Sequence, residues 1–138
     1  MISVVLDTDG LLGLFNPLDN QADRAVELAE RLADAGAEFW VLPTTLAEFA
    51  LLASSRVGVD RTKSALRQIE EMCFGVLDVN RPLLREAMKL YDKQTSKEES
   101  LFDCLVMVGA ESVGAQYIFS FDLGYKKNGY QLASDFGK

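Results

Sequence analysis

The chain alternates between two hydrophobic rhythms. Residues 2–6, ISVVL, form a short apolar, β-branched stretch that ends abruptly at Asp7. Such a run reads as a strand buried on both faces, the habit of parallel sheets. Residues 38–42, 75–79 and 116–120 repeat the pattern, and residues 131–133 are the candidate for a short edge strand. Between these runs the period lengthens to that of helices. Residues 8–15 read as a short helix or turn. From Asp19, the apolar positions Ala22, Ala25, Val26, Leu28, Ala29, Leu32 and Ala33 face away from Arg24, Glu27, Glu30 and Arg31, until Gly36 stops the helix. A third helix opens at Pro43 and runs to Ser55. Asp60 caps a fourth that reaches Cys73, with Ala65, Leu66, Ile69 and Met72 inward. Asn80-Arg81-Pro82 is a helix start, Pro being favoured near the first helical position, and carries Leu83, Leu84, Ala87, Met88 and Leu90. Residues 95–99 read as a polar loop. Residues 100–113 form the most apolar helix and end at Gly114, and LGYKKNGY after Asp122 reads as a loop.

Strand and helix alternating throughout predict right-handed crossovers around a parallel sheet, with helices on both faces. The expected architecture is a three-layer α/β/α sandwich whose central parallel sheet has four or five strands. With 138 residues, 49% hydrophobic and 25% charged, the chain suits one compact domain. Residues 1–133 are expected to form it, with residues 134–138 as a loose tail. No apolar run approaches the roughly 18 residues of a membrane span, and the first residues carry no secretory pattern. Cys73 and Cys104 lie in apolar surroundings and read as reduced core thiols of a cytoplasmic protein.

The absence of histidine narrows the chemistry more than anything else in the composition. Imidazole bases, Ser-His-Asp triads and Cys-His pairs are excluded, which leaves carboxylates, hydroxyls, Lys/Arg or a metal. A net charge of −7 argues against a broadly basic nucleic-acid platform, but not against a site where bound cations carry the local positive charge.

Four acids stand out. Asp7 and Asp122 end the first and fourth strands, and Glu48 and Asp103 sit early in helices. Each has a local explanation. Asp7 suits a helix N-cap, Thr45-x-x-Glu48 a capping box, Asp103 the dipole-favoured first turn after Ser100, and Asp122 a turn before Gly124. Topology weighs against accepting all four. The carboxyl ends of parallel strands share one rim, helices that follow them begin there, and a helix leading into a strand starts near it. Asp7, Glu48, Asp103 and Asp122 therefore share an edge. An all-carboxylate group suits a hard cation such as Mg²⁺ or Mn²⁺.

The sequence VVLDT at the start, TTLAEF after the second strand, SLFDCLVMVGA before the fourth and FSFD at its end resembles the PIN-domain ribonucleases, and among them the VapC-like toxins. The resemblance spans nearly the whole chain and rests on the order and context of the four acids. It implies a PIN-like fold and a metal-dependent endoribonuclease with Mg²⁺ or Mn²⁺ at the acids. It also implies an RNA substrate, a homodimer and, for toxins, inhibition by a small antitoxin. Carried over residue by residue, Asp7 and Asp103 are the principal metal ligands, and Glu48 and Asp122 complete the cluster directly or through water. Asp9 stands where many members have Asn, which bears on hydrogen bonding around the ligands.

Two rivals accompany this reading. LDTDGLL resembles the opening motif of haloacid-dehalogenase-type phosphohydrolases, with Asp7 as nucleophile and Asp9 as acid/base. Leu11 replaces the usual threonine there, no later paired-acid motif is present, and the chain is short for that fold. The other is a catalytically silent PIN-like binding module. Lys126 and Lys127, or Arg56 and Arg61, are candidates to hold RNA, against the plainer reading of solvated helix faces. Residues 49–69 are a candidate dimer or antitoxin groove, against the plainer reading of a core face.

Overall fold

A computed structural model describes residues 1–95 and 97–138; Ser96, within the polar loop expected at residues 95–99, lies outside the described residues. Four strands, β1 (Ser3–Leu6), β2 (Glu38–Val41), β3 (Gly75–Val76) and β4 (Tyr117–Phe119), form one all-parallel sheet in the order β3-β2-β1-β4. The helices are α1 (Thr8–Phe15), α2 (Ala22–Asp34), α3 (Pro43–Val57), α4 (Val59–Met72), α5 (Arg81–Asp92), α6 (Leu101–Ser112) and the short α7 (Gly124–Lys127).

Side-chain alternation along the strands splits the core into two slabs. Val4, Leu6, Phe39, Val41 and Phe119 face Leu11, Leu28, Leu32, Phe49, Ala53 and Ile69 of α1–α4. Val5 and Ile118 face the other way, onto Ala87, Cys104, Leu105, Met107 and Tyr125 of α5–α7. The three-layer α/β/α sandwich expected from the alternation is therefore present. No helix among the described residues is long and apolar enough to cross a membrane.

The chain winds outward from β1 through β2 to β3, then returns to place β4 on the other side of β1. The crossovers thus reverse between β1 and β4, and open α/β sheets bind ligands in the crevice at such a reversal. Gly10 makes the junction tight. A Cβ there would lie 2.2 Å from the Phe119 carbonyl oxygen and 2.6 Å from its ring, so α1 can cross the end of β4 only with glycine at this position.

Several local expectations are corrected. The third strand keeps only Gly75–Val76 of the expected five residues, because it is an edge strand laddered to β2 alone. The expected fifth strand is reduced to an isolated bridge between Ile118 and Leu132. Helix α4 begins at Val59 behind Gly58, whose φ of 90° breaks it from α3, so Asp60 lies inside the first turn and is not the cap. Val26, expected on the apolar face of its helix, is exposed. Residues of the loop after Asp122 wind into α7, whose Tyr125 is buried. The final residues are tied down. Ala133–Asp135 form a 3₁₀ turn, Asp135 pairs with Lys126 at 3.0 Å, and Phe136 packs edge-on against Tyr117 and under Arg31.

Candidate functional site

Asp7 emerges where β1 stops. Its N–H donates to the Phe119 carbonyl at 3.1 Å and its own carbonyl accepts the Leu11 N–H at 3.0 Å, so backbone bonds fix it between β4 and α1. It occupies the N-cap position of α1, yet its carboxylate makes no capping bond, and the local explanation for this acid fails. The residue is only 4% exposed. Burial, then the nearby charges of Asp9 and Asp103, push its pKa up to about 8 against the opposing Thr8 N–H and Tyr125 hydroxyl.

Glu48 also departs from its local explanation. Helix α3 starts at Pro43 with no side-chain cap, which leaves Thr45 buried inside the helix. The Thr8 hydroxyl, next to Asp7, donates to Glu48 Oε1 instead. Asp103 does lie in the first turn behind Ser100, as expected, and the two close a capping box: its N–H donates to Ser100 Oγ at 3.2 Å and its Oδ2 accepts the Ser100 N–H at 3.0 Å. That box uses one oxygen, and Oδ1 accepts the buried Tyr125 hydroxyl at 3.2 Å. Asp122 likewise makes its turn bond, accepting the Gly124 N–H at 2.8 Å, and is exposed at the mouth of the site.

These acids converge on one open cleft of about 300 Å³, whose lining includes Asp7, Asp9, Glu48, Asp103 and Asp122 together with Leu52, Arg56 and Phe121. Among the described residues, none of the five carboxylates has a Lys or Arg nitrogen within ion-pair distance. In the arrangement described, no three of them close up tightly enough to grip an ion, since Glu48, Asp103 and Asp122 are each turned toward a local donor. The oxygens share a cleft and are held by neutral donors, an all-oxygen set of the kind that hard divalent cations take.

In the sequence Asp9 stands out as a departure from the PIN pattern and as the acid/base of the phosphatase alternative. The structure gives it a task. Its Oδ1 accepts the Ser120 hydroxyl at 2.6 Å, its Oδ2 accepts the Phe121 N–H at 3.1 Å, and Ser120 Oγ in turn accepts the Asp122 N–H at 3.0 Å. Asp9 thereby ties α1 to the segment that presents Asp122. Burial outweighs these hydrogen bonds and raises its pKa above the ordinary carboxylate value. Thr8 and Tyr125 were also missed. Thr8 follows directly from the ordinary geometry of a first helical turn, whereas nothing in LGYKKNGY marks Tyr125 as an inward residue. A further acid, Glu99, lines a small recess beside Asp103 and Asp122. Its Oε1 accepts from Asn128 at 2.8 Å, and its buried Oε2 has no hydrogen-bond partner among the described residues.

The basic candidates sort differently than expected. Lys126 is engaged by Asp135, and Lys127 and Arg61 do not line the cleft. Arg56 does. Arg24 stacks 5.1 Å from the centre of the Phe121 ring. In the candidate groove at residues 49–69, Phe49, Ala53, Ala65 and Ile69 belong to the core, which leaves Leu51 and Val59 outward.

No family model matches the chain, and no curated protein matches it in sequence. Solved structures do. VapC20 of Mycobacterium tuberculosis, described as a Sarcin-Ricin loop cleaving toxin, superposes with a TM-score of 0.79 over 92% of this chain and 95% of that one, at 20% identity. VapBC-1 of nontypeable Haemophilus influenzae gives 0.69 at 18% identity over 95% and 96% of the two chains. VapBC2 of Rickettsia felis, bound to a DNA fragment from its promoter, gives 0.67 at 15% identity over 95% and 96%. The fold is therefore the PIN-like fold of the VapC proteins, as the sequence resemblance implied.

Proposed function

We propose that this chain is a divalent-cation-dependent endoribonuclease that hydrolyses RNA phosphodiester bonds, and that it is the toxin of a toxin–antitoxin pair. The observation that carries the reading is the convergence of Asp7, Glu48, Asp103 and Asp122, from four separate segments, on one cleft without a neutralising Lys or Arg among the described residues. A buried carboxylate with no counter-charge is costly unless it is protonated or meets a cation. The four acids are the residues that would hold Mg²⁺ or Mn²⁺, and such an ion would polarise the scissile phosphate and make water a better nucleophile.

The protein's own groups keep the acids at the cleft. Thr8 holds Glu48, Ser100 and Tyr125 hold Asp103, and Asp9 acts through Ser120 on Asp122, and on ion binding these carboxylates would turn from their neutral donors toward one another. With water as nucleophile the products carry 5′-phosphate and 3′-hydroxyl ends. The VapBC likenesses support a small antitoxin as partner, and a homodimer and a cytoplasmic location, in keeping with two free thiols, belong to the same reading. The carboxylate of Asp9 is engaged at the end of β4, which speaks against its serving as the acid/base of a dehalogenase-type phosphatase.

The test is cleavage of single-stranded RNA by purified, inhibitor-free protein with Mn²⁺. Activity is expected to vanish in Asp7→Asn, in Asp103→Asn and with chelator, and to survive in large part in Asp9→Asn. Absence of cleavage would favour the silent binding module, phosphomonoester hydrolysis that is lost in Asp9→Asn the phosphatase, and cyclic phosphate ends would refute water as nucleophile.

A further inference from the structure

Helix α3 carries more than Glu48 into the cleft. Glu48, Leu52 and Arg56 all line it, spaced four residues apart and therefore stacked on one face of the helix. Eight residues of helix place Arg56 about 12 Å along the axis from Glu48, with Leu52 as an apolar spacer between them. Among the described residues, Arg56 is the single cation in a wall that also includes Asp7, Asp9, Asp19, Glu48, Asp103 and Asp122. Despite that company it forms no ion pair and no hydrogen bond among the described residues. Its guanidinium is free to meet an anion, and its backbone position two helical turns beyond Glu48 sets it toward the α3 end of the cleft. The other cation near the cleft, Arg24, is stacked on Phe121.

We propose that Arg56 forms a phosphate subsite on α3 that binds a backbone phosphate of single-stranded RNA flanking the one held at the acids. This rests on the nuclease reading above. A planar guanidinium suits a phosphate oxygen pair, and an otherwise acidic cleft needs such a group to hold a polyanion away from the cation-dependent centre. Arg56 thus sets the minimum length of substrate and the direction in which the strand leaves the centre, along α3.

The test compares Arg56→Ala with wild type on a short single-stranded oligoribonucleotide and on a dinucleoside monophosphate, the dinucleotide whose single phosphate is the scissile one. Arg56→Ala is expected to raise KM for the oligonucleotide about tenfold with little change in kcat, and the loss is expected to shrink on the dinucleotide. The salt dependence of oligonucleotide binding, followed by fluorescence anisotropy in Ca²⁺, is expected to lose about 0.7 from its log–log slope, with Arg56→Lys recovering part of both effects. Arg85→Ala on α5 removes the same charge from the opposite layer and controls for net charge. An unchanged KM and slope, or equal losses on both substrates, would overturn the assignment while leaving the nuclease reading intact. If wild type binds RNA without cutting it, the nuclease reading falls and the anisotropy series still decides Arg56. If wild type neither binds nor cuts, both fall.

Discussion

Replacing Asp7 by Asn is expected to stabilise the protein in the absence of divalent cations. Asp7 is 4% exposed and its pKa stands at about 8 against an ordinary 3.8. Below pH 3.8 the group carries its proton in both folded and unfolded chains and costs nothing. As the pH rises, the unfolded chain ionises freely while the folded chain holds the proton, so stability declines by about 1.4 kcal/mol per pH unit until the folded group titrates near pH 8. At pH 7 the accumulated loss is about 4 kcal/mol, on the order of 10 °C in Tm for a chain of this size. Asn keeps the shape, does not titrate, and turns an amide donor toward the carboxylates of Asp9 and Asp103. Thermal unfolding by circular dichroism in chelator, from pH 4.5 to 8, is expected to show the two proteins nearly equal at the acid end and diverging toward the alkaline end, with the variant higher. Adding Mn²⁺ is expected to raise wild type and leave the variant in place. A gap that does not change with pH, or a variant less stable at pH 7, would refute the reasoning.

Three further outcomes follow from the same contacts. Gly10→Ala drives a methyl into the Phe119 carbonyl and is expected to lose 3 kcal/mol or more, about the upper end for overpacking, in urea denaturation. Tyr125→Phe removes the hydroxyl that donates to Asp103 at 3.2 Å, and is expected to cost about 1 kcal/mol in stability while lowering kcat more than it changes KM for RNA. Deleting residues 134–138 removes the Lys126–Asp135 pair and the Phe136 packing, and is expected to lower Tm measurably while the far-ultraviolet spectrum stays native.

Much of the scaffold is legible in the residues because its signals are local. The run at residues 2–6, the Asn80 start of α5 and the Ser100 start of α6 each announce themselves within a few positions, and Asn80 does cap α5 through the Leu83 N–H at 3.0 Å. Parallel topology then brings distant acids to one rim without any knowledge of side-chain contacts. What stayed hidden depends on partners far away in sequence. Thr45-x-x-Glu48 spells a capping box, but Pro43 starts the helix a turn early and Thr8 takes the carboxylate. The value of Asp9 lies in Ser120 and Phe121, more than a hundred positions away. The tail looked loose because most of what ties it down is distant. Asp135 accepts the nearby Leu132 N–H at 3.0 Å, but Lys126, Tyr117 and Arg31 complete the contacts of Asp135 and Phe136.

The pairing of β1 with β4, Val4 beside Tyr117, has a consequence for how the protein comes off the ribosome. Asp7, Asp9 and Glu48 are made early, yet the ledge that Asp9 grips and the residues that bring in Asp122 and Tyr125 follow only some seventy residues or more after Glu48. Closing a contact of such sequence separation is slow and comes late. Every nascent or prematurely terminated fragment ending before Phe119 lacks the last wall of the pocket. Emergence of β4 is thus built into the topology as the condition for a closed cleft.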